Sequence, residues 1–167
     1  MDGAPAKPAS VLAPFAVRSF RFQWPADLAT SWSFEMETLI LGWYVLVATD
    51  SVLLLTLFAA LQYVGTLVAP MFGVAGDRKG ARAVLSAMRA FYMVQAAVLT
   101  GFVYFDALSP FPVFVIGAMM GIVRPSDIAI RYSLVGETIP SKQLVGAMGV
   151  SRTTTDSARV AGALAGA

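Results

Sequence analysis

Cysteine and histidine are both absent from the 167 residues of this chain. Their absence excludes disulfides, Cys/His zinc sites and any catalytic pair in which histidine activates serine or cysteine. Charge is scarce as well: 13% of residues are Asp, Glu, Lys or Arg, against about a quarter in soluble domains. The net charge of +2 is small and the cations sit in short loops, so the basic footprint of a nucleic-acid binder is missing. No G-x-x-x-x-G-K-S/T loop occurs, which removes ATP bound in that way as an energy source within this segment. No metal, organic cofactor or catalytic group is expected, and the chain does not read as an enzyme.

What fills the chain instead is apolar. Hydrophobic residues make up 57% and mean hydropathy is +0.71, more than one soluble core of this length can cover. The expected fold is an all-α membrane protein, a bundle of about five transmembrane helices. A span needs about 20 mostly apolar residues. The candidates run from about Phe22 to Ala48, Ser51 to Ala75, Val84 to Phe105, Phe111 to Val135 and Leu144 to Ala167. Their length, and the lack of short alternating strands, argue against a barrel. Residues 1–20, rich in Pro and Ala at their start, read as a disordered cytoplasmic lead rather than a signal peptide; residues 21–167 hold the bundle.

Loop charges orient it. Lys7, Arg18 and Arg21 precede the first span, Asp50 alone follows it, Arg78, Lys79 and Arg82 follow the second, no cation follows the third, and Arg131 and Lys142 lie around the fourth loop. By the positive-inside rule the N-terminus is cytoplasmic and the loops alternate outside and inside. Trp24 and Tyr104 suit an aromatic belt. Gly117 and Gly121 have the small-x-x-x-small spacing of helix contacts.

Ionisable groups inside a span cost about 2.5–3.5 kcal/mol each on insertion scales, so each marks a candidate site. In the first helix Asp27, Ser31, Glu35, Thr38 and Gly42 share one stripe at 100° per residue, and Glu37 lies on another face. The stripe is expected to line a central cavity, with Glu35 as candidate proton carrier and Asp27 and Glu37 as further candidates. Pairing of Glu35 or Glu37 with an arginine of a neighbouring helix is the plainer alternative. Arg124 and Asp127, at i and i+3 around Pro125, are expected to pair. Arg152, Asp156 and Arg159 share a face of the fifth helix, with surplus positive charge that Glu35 or Glu37 can meet. Arg89 is expected only to snorkel to an interface, and Gln62, Tyr63 and Gln95 to pack.

Residues 73–82, Gly-Val-Ala-Gly-Asp-Arg-Lys-Gly-Ala-Arg, form a tight polar turn between two apolar runs. Gly73 and Gly80 suit close packing and a left-handed helix end. Gly73, Asp77, Arg78, Gly80 and Arg82 resemble the G-x-x-x-D-R-x-G-R/K loop of major facilitator superfamily transporters. Ala60-Leu61-Gln62-Tyr63, Thr66-Leu67, Pro70, Leu41-Gly42-Trp43, Arg131, Glu137, Pro140, Ala158-Arg159 and Gly162 are similar to its enterobactin-exporter-like and macrolide-efflux-like branch. Phe34 stands where that branch often has an acid. The resemblance covers roughly residues 20–167. It implies a bacterial-type inner (plasma) membrane and about twelve helices in two halves, of which this chain holds part of the N-terminal half, as a truncated fragment lacking the C-terminal half. It also implies that Asp77 latches the two halves, with Arg131 as the expected partner. The expected function is secondary active transport, proton-coupled efflux of a hydrophobic drug, macrolide or siderophore. The rival is a non-transporting membrane anchor or assembly protein.

Overall fold

The computed structural model describes residues 13–165. Six α-helices follow one another: α1 Arg18–Thr49, α2 Val52–Leu61, α3 Ala69–Lys79, α4 Ala81–Tyr104, α5 Pro110–Thr138 and α6 Ser141–Ala165, with 3-10 turns at Ala13–Ala16 and Val64–Thr66. The protein is all-α, with no strand among the described residues. Most of the expected lead lies outside them. Its last part is built in: Pro14 is buried, and the Phe15 ring meets Phe20 and Trp24 edge-on at 5.3 and 5.2 Å. Such aromatic pairs add to burial, which is why helical order reaches back past Phe22.

Expected as one span, residues 51–75 are broken. Ser51 caps α2 through its hydroxyl, which accepts from the Leu54 amide at 3.3 Å. The helix gives way after Leu61, and α3 starts with Pro70 in its first turn. Proline has no amide to offer Thr66 and its ring crowds that carbonyl, so the helix cannot run through. The two pieces are bent by 40°. At its far end α3 passes into α4 through Gly80 alone, at φ 85° and ψ 137°. The positive φ was expected; the extended ψ is not the left-handed helical value. Gly73, expected to pack closely, has open space where a Cβ would stand.

Three apolar clusters set the packing. The start of α4 (Ala81, Val84, Leu85, Met88) meets the second half of α5 (Val123, Ile130, Leu134). The end of α1 (Leu41, Val45) meets Phe58 of α2 and the start of α5 (Val113, Ile116). Phe20 of α1 meets Val135, Ile139 and Ala147. α4 and α5 are therefore antiparallel, and α1 and α6 start at the same end. α4 and α5 are long and apolar enough to cross a membrane, and α2 with its turn and α3 makes a third if the bent pair is one span. α1 and α6 fall short of that measure, since each carries several charges in its length.

Helix α5 is approached most closely where its side chains vanish. A Cβ on Gly117 would stand 2.5 Å from the Phe58 ring, one on Gly121 would run into the Leu61 carbonyl, and one on Gly65 into the Gly121 and Ile122 carbonyls. The Gly121 carbonyl is the one that Pro125 deprives of its helical amide, and α5 continues through that proline. The broken segment is thus seated, backbone on backbone, against α5.

Gly121→Val is expected to destabilise the fold by about 1–3 kcal/mol or more, since backbone atoms must shift to admit it. Gly73→Ala should not destabilise it. Denaturant titration of both variants against the parent chain checks the contrast.

Candidate functional site

A cavity of about 640 Å³ opens between α1, the α2–α3 break, α5 and α6. Ser31, Glu35 and Thr38 of the expected stripe line it, facing Gln62 and Tyr63, Arg124 and Arg131, and Arg159. Gly42, one turn beyond Thr38, leaves the cavity and packs against Leu55 and Phe58.

Glu35 sits between two cations. Its Oε1 accepts from Arg124 Nη2 at 2.6 Å and lies 3.7 Å from Arg159 Nε. The approach of α6 that brings Arg159 there is possible at Gly162, where a Cβ would stand 3.2 Å from Glu35 Cβ. Arg124 also donates to Thr38 Oγ1 at 3.2 Å, and its guanidinium lies 5.4 Å from the centre of the Phe34 ring, a cation–π geometry. Phe34 is in turn edge-on to Tyr92 at 4.6 Å. Outward along α6, Asp156 pairs with Arg152 at 3.3 Å and Arg159 at 3.9 Å. The α6 triad and its link to Glu35 therefore come together as the spacing proposes, with three arginines serving two carboxylates.

The Arg124–Asp127 pair does not form. Asp127 turns the other way, to Arg131 one turn on, with Oδ2 at 2.5 Å from Nη2. That contact is a close ion pair one turn apart on α5. Arg131 also donates through Nη1 to Ser31 Oγ at 3.0 Å and to the Asp27 carbonyl at 3.2 Å, and its Nε lies 3.6 Å from the Asp27 carboxylate. Asp27 then bonds Arg89 of α4. Arg89–Asp27–Arg131–Asp127 is one continuous chain across α4, α1 and α5, with the Asp127 side chain fully buried.

This chain overturns two expectations. Arg89 does not merely snorkel: it is the partner of Asp27. Arg131 is not the partner of Asp77, because its guanidinium is already held by two carboxylates in the interior. Asp77, Arg78, Gly80 and Arg82 are exposed, and Asp77 has no ion pair among the described residues. Glu37 is half-buried, with no ion pair among the described residues and its Oε1 lacking a hydrogen-bond partner, so the arginine pairing foreseen for it is not made. Trp24 is half-buried, and its Nε1 donates to Thr154 Oγ1 at 2.8 Å and ties α1 to α6. Gln95 does pack, donating to the Ile116 carbonyl at 3.3 Å. The Arg89 link was open to sequence reasoning, since an arginine amid apolar residues is itself costly and asks for a carboxylate. Tyr92, half-buried with its hydroxyl enclosed and unbonded, gave no such signal.

Compared with protein-family models, with curated proteins and with solved structures, the chain matches none of them.

Arg131→Leu leaves Asp127 buried and uncompensated, and is expected to cost about 3–5 kcal/mol of unfolding free energy. Arg152→Leu removes an exposed pair and should cost no more than about 0.5 kcal/mol. Chemical denaturation followed by tryptophan fluorescence separates the two.

Proposed function

We propose that this chain forms part of the N-terminal half of a secondary active transporter of the major facilitator type, an integral membrane protein that expels an amphipathic organic substrate against a flow of protons. The observation that carries the reading is the setting of Glu35: a carboxylate on the wall of a large cavity, held between guanidiniums from two other helices. Were this carboxylate to take up the transported proton, its hold on Arg124 and Arg159 would be released, and the contacts of α1 with α5 and α6 would change together. Alternating access needs such a link between a proton and helix packing. The cavity mixes aromatic, hydroxyl and charged walls, which suits a drug-like or siderophore-like substrate with an apolar body and polar groups.

Membrane insertion is supported by the apolar helices α4 and α5 and by large side chains turned outward, such as Leu53 at 78% and Trp43 at 69% exposure. The cations of the α3–α4 turn support a cytoplasmic N-terminus. Asp77, exposed beside Arg78 and Lys79, remains the proposed latch, engaging a partner other than Arg131.

In the full-length transporter, reconstituted in vesicles with an imposed pH gradient, Glu35→Gln is expected to abolish proton-coupled efflux of a fluorescent drug. Asp77→Asn is expected to lower efflux while leaving the amount inserted unchanged. Efflux at the parent level in both variants sinks the proposal, and a parent that inserts but moves no substrate or proton favours the membrane anchor.

A further inference from the structure

A second cavity, of about 400 Å³, lies between the start of α1 and the start of α4. It shares no lining residue with the larger one. Arg18, Arg82 and Arg89 line it together with the hydroxyls of Ser19 and Ser86, and no acidic residue does. Arg18 and Arg82 make no ion pair among the described residues. Arg89 spends its Nη2 on Asp27, which does not line the cavity, yet its buried Nε has no acceptor. Arg18 and Arg82, neither of them in an ion pair among the described residues, and Arg89, paired through Nη2 alone, leave this space positively charged, and their spare donors ask for a group made of acceptor oxygens. Phosphate is that group, and arginine meets it through paired N–H donors.

We infer that this cavity binds the phosphate of an anionic phospholipid headgroup. A lipid rather than free phosphate is favoured by Phe22, 67% exposed beside the arginines, which offers apolar surface along which an acyl chain would continue. The site lies at the end of the bundle that carries Arg78, Lys79 and Arg21, since α4 begins one residue after that turn. Basic pockets between helices at the cytoplasmic face are where anionic headgroups gain most. This inference rests on the reading that the bundle spans a bilayer, but not on transport.

The full chain, purified in an uncharged detergent, is mixed with equal amounts of phosphatidylglycerol and phosphatidylcholine, and the retained lipid is measured by mass spectrometry. Phosphatidylglycerol is expected to be retained preferentially, and Arg18→Gln with Arg82→Gln to weaken that preference roughly fivefold for each arginine removed. Arg78→Gln with Lys79→Gln, the same change in charge outside the cavity, should leave it intact. Equal retention of the two lipids by the parent chain, or an equal loss in the Arg78/Lys79 variant, overturns the site. Displacement of the lipid by inorganic phosphate assigns the cavity to the free ion and overturns the lipid. A chain washed from membranes by alkaline carbonate overturns the bilayer reading with it, whereas one that stays embedded without a lipid preference overturns this inference alone.

Discussion

Charged groups inside a helical bundle must find one another, because an unpaired buried ion costs several kcal/mol that packing cannot return. Arg89, Asp27, Arg131 and Asp127 meet that demand as an alternating row. The row sets more than charge. Arg131 reaches both Asp27 and Ser31, one turn apart on α1, and this fixes how far α1 can slide along α5. Arg89 fixes α4 to the same point. The wall of the larger cavity is built on this register, since Ser31, Glu35 and Thr38 face it only while α1 keeps that height.

Glycine positions supply the complementary constraint, since they decide how near the helices come. Gly117 and Gly121 let the α2–α3 break press against α5, and Gly162 lets α6 press against α1 at Glu35. At Gly121 and Gly65 backbone meets backbone with no side chain to yield, whereas Gly117 and Gly162 receive the Phe58 and Glu35 side chains. Between them the side chains are large and the space opens. The cavity is what remains between two close crossings and one row of ion pairs.

Sequence periodicity foresaw part of this. Helical content, the stripe of Ser31, Glu35 and Thr38, the Arg152–Asp156–Arg159 face and the small residues of α5 all follow from spacing along one helix. Partners across helices did not. Arg124 and Asp127 are close enough to pair at i and i+3, yet each found a better-placed opposite charge on another element or one turn further on, and only three-dimensional packing decides such a competition. The break before Pro70 was misread for a different reason. Hydropathy is continuous through Leu61 to Phe72, while the backbone responds to the missing proline amide and to the close seat at Gly65.

One joint in the chain is unusually short. A single residue, Gly80, stands between the last turn of α3 and the first of α4, and a residue contributes only two freely turning backbone bonds. The elbow is held in a conformation that favours glycine, so any side chain there stiffens or distorts it. With α4 pinned by Arg89 and Phe72 and Ala75 of α3 packed against its start, a twist at this glycine displaces the far end of α3 most, while Asp77, three residues from the corner, stays close to it.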